Sequence, residues 1–145
     1  MGSEMCIRDS GDAAYLAIAK SRSASGTACQ AGDEIGRITF VPHDGTDLNH
    51  HAAEIKGYVD TGIGSNDTPG YLTFHTNAGT TTTTERLRIT SGGNVKIASG
   101  VIENSNTISS NYTVSSNYNA MSAGPMSISS GVSVTVPSGS AWTIV

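Results

Sequence analysis

Leucine, the large aromatics and charge are all scarce in this chain. Of its 145 residues four are Leu (Leu16, Leu48, Leu72 and Leu87), two are Phe and one is Trp, and only 14% are charged. So little leucine excludes a helical bundle, while abundant Ile, Val and Thr, branched at Cβ, favour pleated sheet. No apolar run approaches the ~18 to 20 residues of a membrane-spanning helix, and no basic segment followed by an apolar stretch reads as a signal peptide, so no membrane insertion is expected. Lys and Arg number 8 against 12 Asp and Glu, a net charge of −4, with no basic cluster. A nucleic-acid partner held by phosphate neutralisation is therefore not expected. What the chain does have is Ser, Thr, Asn and Gly, about two-fifths of all residues. With so little charge beside it, this bias implies short strands joined by many turns rather than disorder.

The first ten residues, MGSEMCIRDS, resemble the translated end of a transposase-based sequencing adapter read from a GTG start. On that reading residues 1–10 are an artefact, and the protein extends upstream of residue 11, so the sequence is the C-terminal part of a longer chain. Residues 11–145 carry seven basic and ten acidic side chains, net −3. With Cys6 set aside, Cys29 stands alone, which leaves no intrachain disulfide and no thiol pair for a metal. Its setting, SASGTACQAG, reads as a loop rather than as the surroundings of a nucleophile.

Periodicity places the strands. Leu16 and Ile18 alternate with Tyr15, Ala17 and Ala19, although Ala13, Leu16, Ala17 and Lys20 also fit a helix; the neighbouring segments favour strand. In GDEIGRITF the apolar phase changes between Ile35 and Ile38, which predicts a bulge or close backbone approach at Gly36. Pro42 and Asp44-Gly45 end that strand. AAEIKGYVD sets Ala53, Ile55, Gly57 and Val59 on one face and Glu54, Lys56, Tyr58 and Asp60 on a solvated one. Leu72 and Phe74 alternate with Tyr71, Thr73 and His75 in the same way. Leu87 with Ile89, then Val95 with Ile97 past Gly92-Gly93-Asn94, predict a hairpin, with Arg86 and Arg88 sharing its outer face and available to Glu54 or Asp60 of a neighbouring strand or chain.

Residues 104–145, 42 in all, contain no Asp, Glu, Lys, Arg or His. Short apolar pairs there are separated by Ser, Asn and Gly, with Val132, Val134 and Val136 as one strand and Trp142 with Ile144 in a last one. Uncharged strand edges invite aggregation unless they are closed, and winding as short solenoid rungs or interlocking with identical chains would close them. The chain therefore reads as residues 11–100, a β-rich module, and residues 101–145, an uncharged β tip.

Chemical constellations are few. His43, His50, His51 and His75 have no metal-ligand spacing, and adjacent His50 and His51 would point oppositely in a strand, so they read as exposed or turn residues. HDGTD lacks the alternating ligands of a calcium loop, and Asp44 and Asp67 read as turn residues bonding local backbone. A carboxylate pair for glycoside hydrolysis could be drawn from Asp33, Glu34, Glu54, Asp60 and Glu85, but their spacing does not support one. No catalytic residue, metal or cofactor is expected. In the tip Tyr112, Tyr118 and Trp142 lie among Asn and Ser, a combination that can stack and hydrogen-bond a sugar. Trp142 shares a strand face with Ile144, which equally suits a side chain capping a core between chains.

The ordered series GDEIGRITFVPHDGTD, AAEIKGYVD, NDTPGYLTFHTNAG and TERLRITSGGNVKI, residues 32–97, resembles a module common in tail-fibre and other structural proteins of marine bacteriophages. The ending, NYNAMSAGPMSISSGVSVTVPSGSAWTIV, resembles a C-terminal segment of such proteins. The resemblance implies a trimeric fibre, which together with the strand pattern and the edge argument above gives an all-β fold of short antiparallel strands with a solenoid-like tip, intertwined as a homotrimer. It further implies a place in the virion, assembled in the bacterial cytoplasm beside other virion proteins, with a structural role; any attachment to a host-surface glycan would fall to the tip aromatics Tyr112, Tyr118 and Trp142 named above. Relatives often continue as GNVGIGT into a self-cleaving chaperone; here GGNVKIASG stands instead, so autoproteolysis is not expected. A glycan-degrading tailspike and a bacterial surface adhesin are the alternatives.

Overall fold

The computed structural model describes residues 16–145, together with the backbone of Met5–Cys6 and Tyr15. The reading of residues 1–10 as adapter sequence falls outside the described residues, apart from the Met5–Cys6 backbone. The described residues contain no helix, and the chain is all-β. It divides into two compact units, Met1–Gly100 and Val101–Val145.

In the first unit β1 (Met5–Cys6) pairs antiparallel with β2 (Tyr15–Leu16). Five longer strands then form an antiparallel meander: β3 (Glu34–Phe40), β4 (Ala53–Val59), β5 (Gly70–Thr76), β6 (Thr84–Ile89) and β7 (Val95–Ile97), hydrogen-bonded in that order. Each strand alternates apolar and polar residues, so the register sorts the side chains into two faces. One apolar row runs Ile38, Ile55, Phe74, Leu87, Ile97, and a second runs Gly36, Gly57, Leu72, Ile89, Val95. The phase change seen around Gly36 is a register shift between Glu34 and Gly36, with Ile35 as the extra residue. The β6–β7 hairpin turns at Gly93, whose φ of 79° is one that glycine adopts without strain.

Burial reverses the expected faces. Glu54 is 3% exposed and Thr73 is fully buried, while Phe40 is 52% and Val95 60% exposed. Around β4 and β5 the polar face is thus the better covered one, although Val59 on the apolar face is buried as well, and Glu54 does not belong to a solvated strand face. The reason is reach: Arg, Lys, Tyr and Glu side chains lie across the strands and cover one another's stems. Valine and isoleucine stand upright and cover little beyond themselves. Among the described residues Val59 and Val114 are the buried apolar side chains. A second register shift, between Phe74 and His75, corrects the placement of the arginines. Arg86 becomes the extra residue and reaches Thr76 Oγ1 at 3.0 Å, whereas Arg88 pairs with Glu85; neither is bonded to Glu54 or Asp60.

The second unit is built differently. β8 (Thr107–Ile108), β9 (Tyr112–Thr113) and β10 (Asn119–Ser122) pair in parallel with β11 (Ser127–Ile128), β12 (Val134–Thr135) and β13 (Ala141–Ile144). The partners stand 20, 22 and 22 residues apart, so TISSNYTVSSNYNAMS and SISSGVSVTVPSGSAWTI are an imperfect repeat. Turn geometry repeats with it. Asn117 (φ 66°) and Gly139 (φ 82°) are 22 residues apart, both left-handed, in turns closed by Tyr118 N–H to Ser115 O and Ser140 N–H to Pro137 O, each at 3.1 Å.

Candidate functional site

On the covered face of the sheet, β4 sets Glu54 between Thr39 and His75 of its neighbours. Its carboxylate accepts bonds from Arg37 Nη1 at 2.9 Å, from Lys56 Nζ at 2.9 Å and from the Thr83 hydroxyl, and contacts His51 Nδ1 at 3.0 Å. Burial alone would raise its pKa. The bond from Thr83, with those from Lys56, His51 and Arg37, outweighs burial and holds the carboxyl well below the usual range.

The network continues at both ends. Glu34 accepts from Arg37 Nε at 2.6 Å and from the Tyr58 hydroxyl at 3.2 Å. The rings of Tyr58 and Tyr71 stack at 5.0 Å, with the Arg88 guanidinium 4.4 Å above Tyr71. Arg88 in turn holds Glu85 at 2.7 Å and lowers its pKa. Near the start of β3, Asp33 receives two bonds from Arg22, at 2.7 and 2.9 Å, and one from Gln30 N–H at 2.9 Å, and these push its carboxyl far down. Asp60 is lowered by the Ser91 hydroxyl and Thr61 N–H. A glycosidase needs one carboxyl raised so that it can donate a proton. Asp33, Glu54, Asp60 and Glu85 are shifted the other way.

The histidines divide. His43 and His50 are exposed and His51 lies in the loop before β4 against Glu54, whereas His75 is half-buried within the polar face of β5, so the reading of exposed or turn histidines is corrected for His75. His75 shares a bond of 3.0 Å between Nε2 and Thr73 Oγ1, and its Nδ1 is buried without a partner. Burial, then the charge of Lys56, lowers its pKa against the opposing pull of Glu54, Glu85 and Glu34.

Asp44, Asp47 and His50 bring ligand atoms within 4.8 Å of one another. Asp44 Oδ1, however, accepts Thr46 and Asp47 N–H at 2.8 and 3.0 Å, and Asp47 binds Asn49 through both oxygens. Asp44 thus acts as the turn residue its sequence suggests, while Asp67 enters its turn through main-chain bonds to Gly64.

The tip aromatics are dispersed. Tyr112 is on β9 and exposed, Tyr118 is 70% exposed in the turn before β10, and Trp142 is half-buried on β13 beside Ala120, donating from Nε1 to Ser122 Oγ at 3.1 Å. No two of them form a ring contact; the stacked pair among the described residues is Tyr58 with Tyr71.

The feature that sequence reasoning missed lies on the uncovered face of the sheet. Gly36 faces Gly57 across β3 and β4; Ile18 packs over Gly36, and the missing side chain of Gly57 borders two apolar hollows of about 210 and 330 Å3. Ile35, Gly57 and Leu72 border both. The signal was present as two glycines on the apolar side of neighbouring strands, but it needed the register that pairs them. Among known proteins, no family model and no curated protein matches the chain.

Proposed function

We propose that this chain is a non-enzymatic structural module of a bacteriophage tail fibre or related virion appendage. Three copies assemble by turning the apolar faces of their sheets towards one another. Residues 101–145 then form a short solenoid-like tip that presents Tyr112 and Tyr118 to a host-surface glycan, three weak contacts acting together in place of a deep pocket.

The exposed apolar face carries this reading. An isolated domain this poor in buried apolar side chains has little to offset the entropy of ordering its chain, and an apolar sheet face open to water is an aggregation hazard unless another surface covers it. The sequence resemblance to phage fibre modules supplies the setting, and the parallel pairing at a nearly constant offset supports the solenoid-like tip. The downward shifts of Asp33, Glu54, Asp60 and Glu85 favour a binding and structural role over glycan cleavage. Light scattering on the full chain tests the assembly: the expected mass is three times 14.9 kDa and persists in mild detergent. A folded monomer at all concentrations would overturn it.

A further inference from the structure

Gly57 lies inside β4, a strand paired on both sides, where glycine weakens the sheet and leaves nothing to pack. Its φ is outside the left-handed region, and a Cβ added there would meet no atom within 4 Å. A valine would fit and would favour the strand. Its partner Gly36 is explained within the chain, because a Cβ there would overlap the Ile18 side chain. The neighbouring bulge does not require glycine at 57 either, since the extra residue, Ile35, is on the other strand. Glycine at 57 therefore keeps open a hollow that none of the described residues fills.

Phe40 has the complementary shape. It faces Ala53, and the row continues with Thr76 and Thr84, so the ring projects from a floor of smaller side chains. Phe40 and the hollow share one face but are four residues apart along the strand, ~13 Å at ~3.3 Å per residue, so the ring cannot fill the hollow of its own chain. The apolar rows around them contain no Asp, Glu, Lys or Arg, and Arg37, which borders one hollow, is already paired with Glu34 and Glu54. An occupant bearing charge would lose its hydration there without gaining a partner, whereas the same face of another copy brings no charge.

We propose that the Phe40 ring of one copy of this chain seats in the Gly57 hollow of another. Knob and socket occupy different places on one surface, which allows each copy to give its ring to one neighbour and receive a ring from the next, as a closed threefold ring requires. The inference rests on the self-assembly reading above and names its contact.

Disulfide trapping in the full chain tests it. With Cys6→Ser and Cys29→Ser as background, Phe40→Cys combined with Gly57→Cys cannot close within one chain, because a disulfide needs Cα atoms within ~7 Å. The expected result after oxidation is a covalent trimer on a denaturing gel, reversed by reductant and lost when Phe40→Cys is left out. A covalent ladder that stops at the dimer upholds the contact and overturns the threefold reading. Absence of interchain product from a chain that light scattering shows to be trimeric overturns the contact and leaves the assembly standing. A monomeric, unlinked chain overturns both. As a second variant, Gly57→Val is expected to keep the strand circular dichroism while dissociating about tenfold more readily. Unchanged mass together with a raised melting temperature for that variant would also overturn the contact.

Discussion

In the first unit Glu54 gathers Arg37, Lys56, His51 and Thr83, while in the second the side-chain oxygens of Asn104, Asn111 and Asn119 each accept a backbone N–H from a later segment: Ala123 at 2.7 Å, Ser133 at 2.9 Å and Ala141 at 2.9 Å. One unit ties antiparallel strands together with charge. The other ties parallel segments together with neutral amides, and residues 104–145 hold no side chain of Asp, Glu, Lys, Arg or His. Among the described residues both have almost no apolar interior, Val59 in one and Val114 in the other. Polar contacts must then fix their geometry, and the kind of contact decides which conditions each unit tolerates.

Acid separates the two most strongly. Asp33, Asp44, Asp60, Glu54 and Glu85 all have pKa values below their ordinary ones, so the stability they supply is complete above the ordinary carboxylate range and drains away as pH falls through and below it. His75 is lowered too; the unfolded chain takes up its proton near the ordinary value of 6.5 while the folded chain resists, so a first loss begins below that pH. The second unit has none of these groups. Trp142, the single tryptophan, lies in that unit, and the Tyr58–Tyr71 stack lies in the first. On acidification the near-ultraviolet tyrosine signal is expected to fade at higher pH than any change in tryptophan fluorescence. Simultaneous loss of both would break the comparison.

Glu54→Gln should have the next largest effect. Removing one member of a buried charge cluster strands the others, and because Arg37 is itself partly exposed the cost falls near the low end, about 2 to 3 kcal/mol in urea unfolding followed by the tyrosine signal. A change within ~0.5 kcal/mol would mean that water already satisfies this cluster. The smallest effect belongs to Asn119→Ala. It leaves the Ala141 N–H without its acceptor, at a cost of about 1 kcal/mol, and should speed amide exchange at residues 141–144 while leaving β3–β7 unchanged.

Strand positions were legible in the sequence because alternation is local: Ile38 with Phe40, Leu72 with Phe74, and Leu87 with Ile89 each mark a strand that the fold contains. The break in phase at Gly36 likewise announced its bulge. Which face would be covered was not legible. Alternation marks two faces but not how far their side chains reach, and Glu54 is buried by Arg37 and Lys56 lying across it, not by an apolar layer. The bulge at Phe74/His75 left no mark either, because Glu85 and Arg88 read equally well in uninterrupted phase. In the tip the aromatics drew attention, but the organising signal was the weaker repetition of Asn111, Asn117 and Asn119 against Ser133, Gly139 and Ala141. Two residues inserted around Gly131 blur that period.

The fixed reach of those asparagines has a genetic corollary. An insertion of arbitrary size within the tip would set each amide against the wrong partner, whereas one whole period would add a layer of strands ~4.8 Å thick. In the coding sequence that step is about 66 nucleotides, so lineages carrying this tip should vary in length by duplication of that unit far more readily than by single-codon drift.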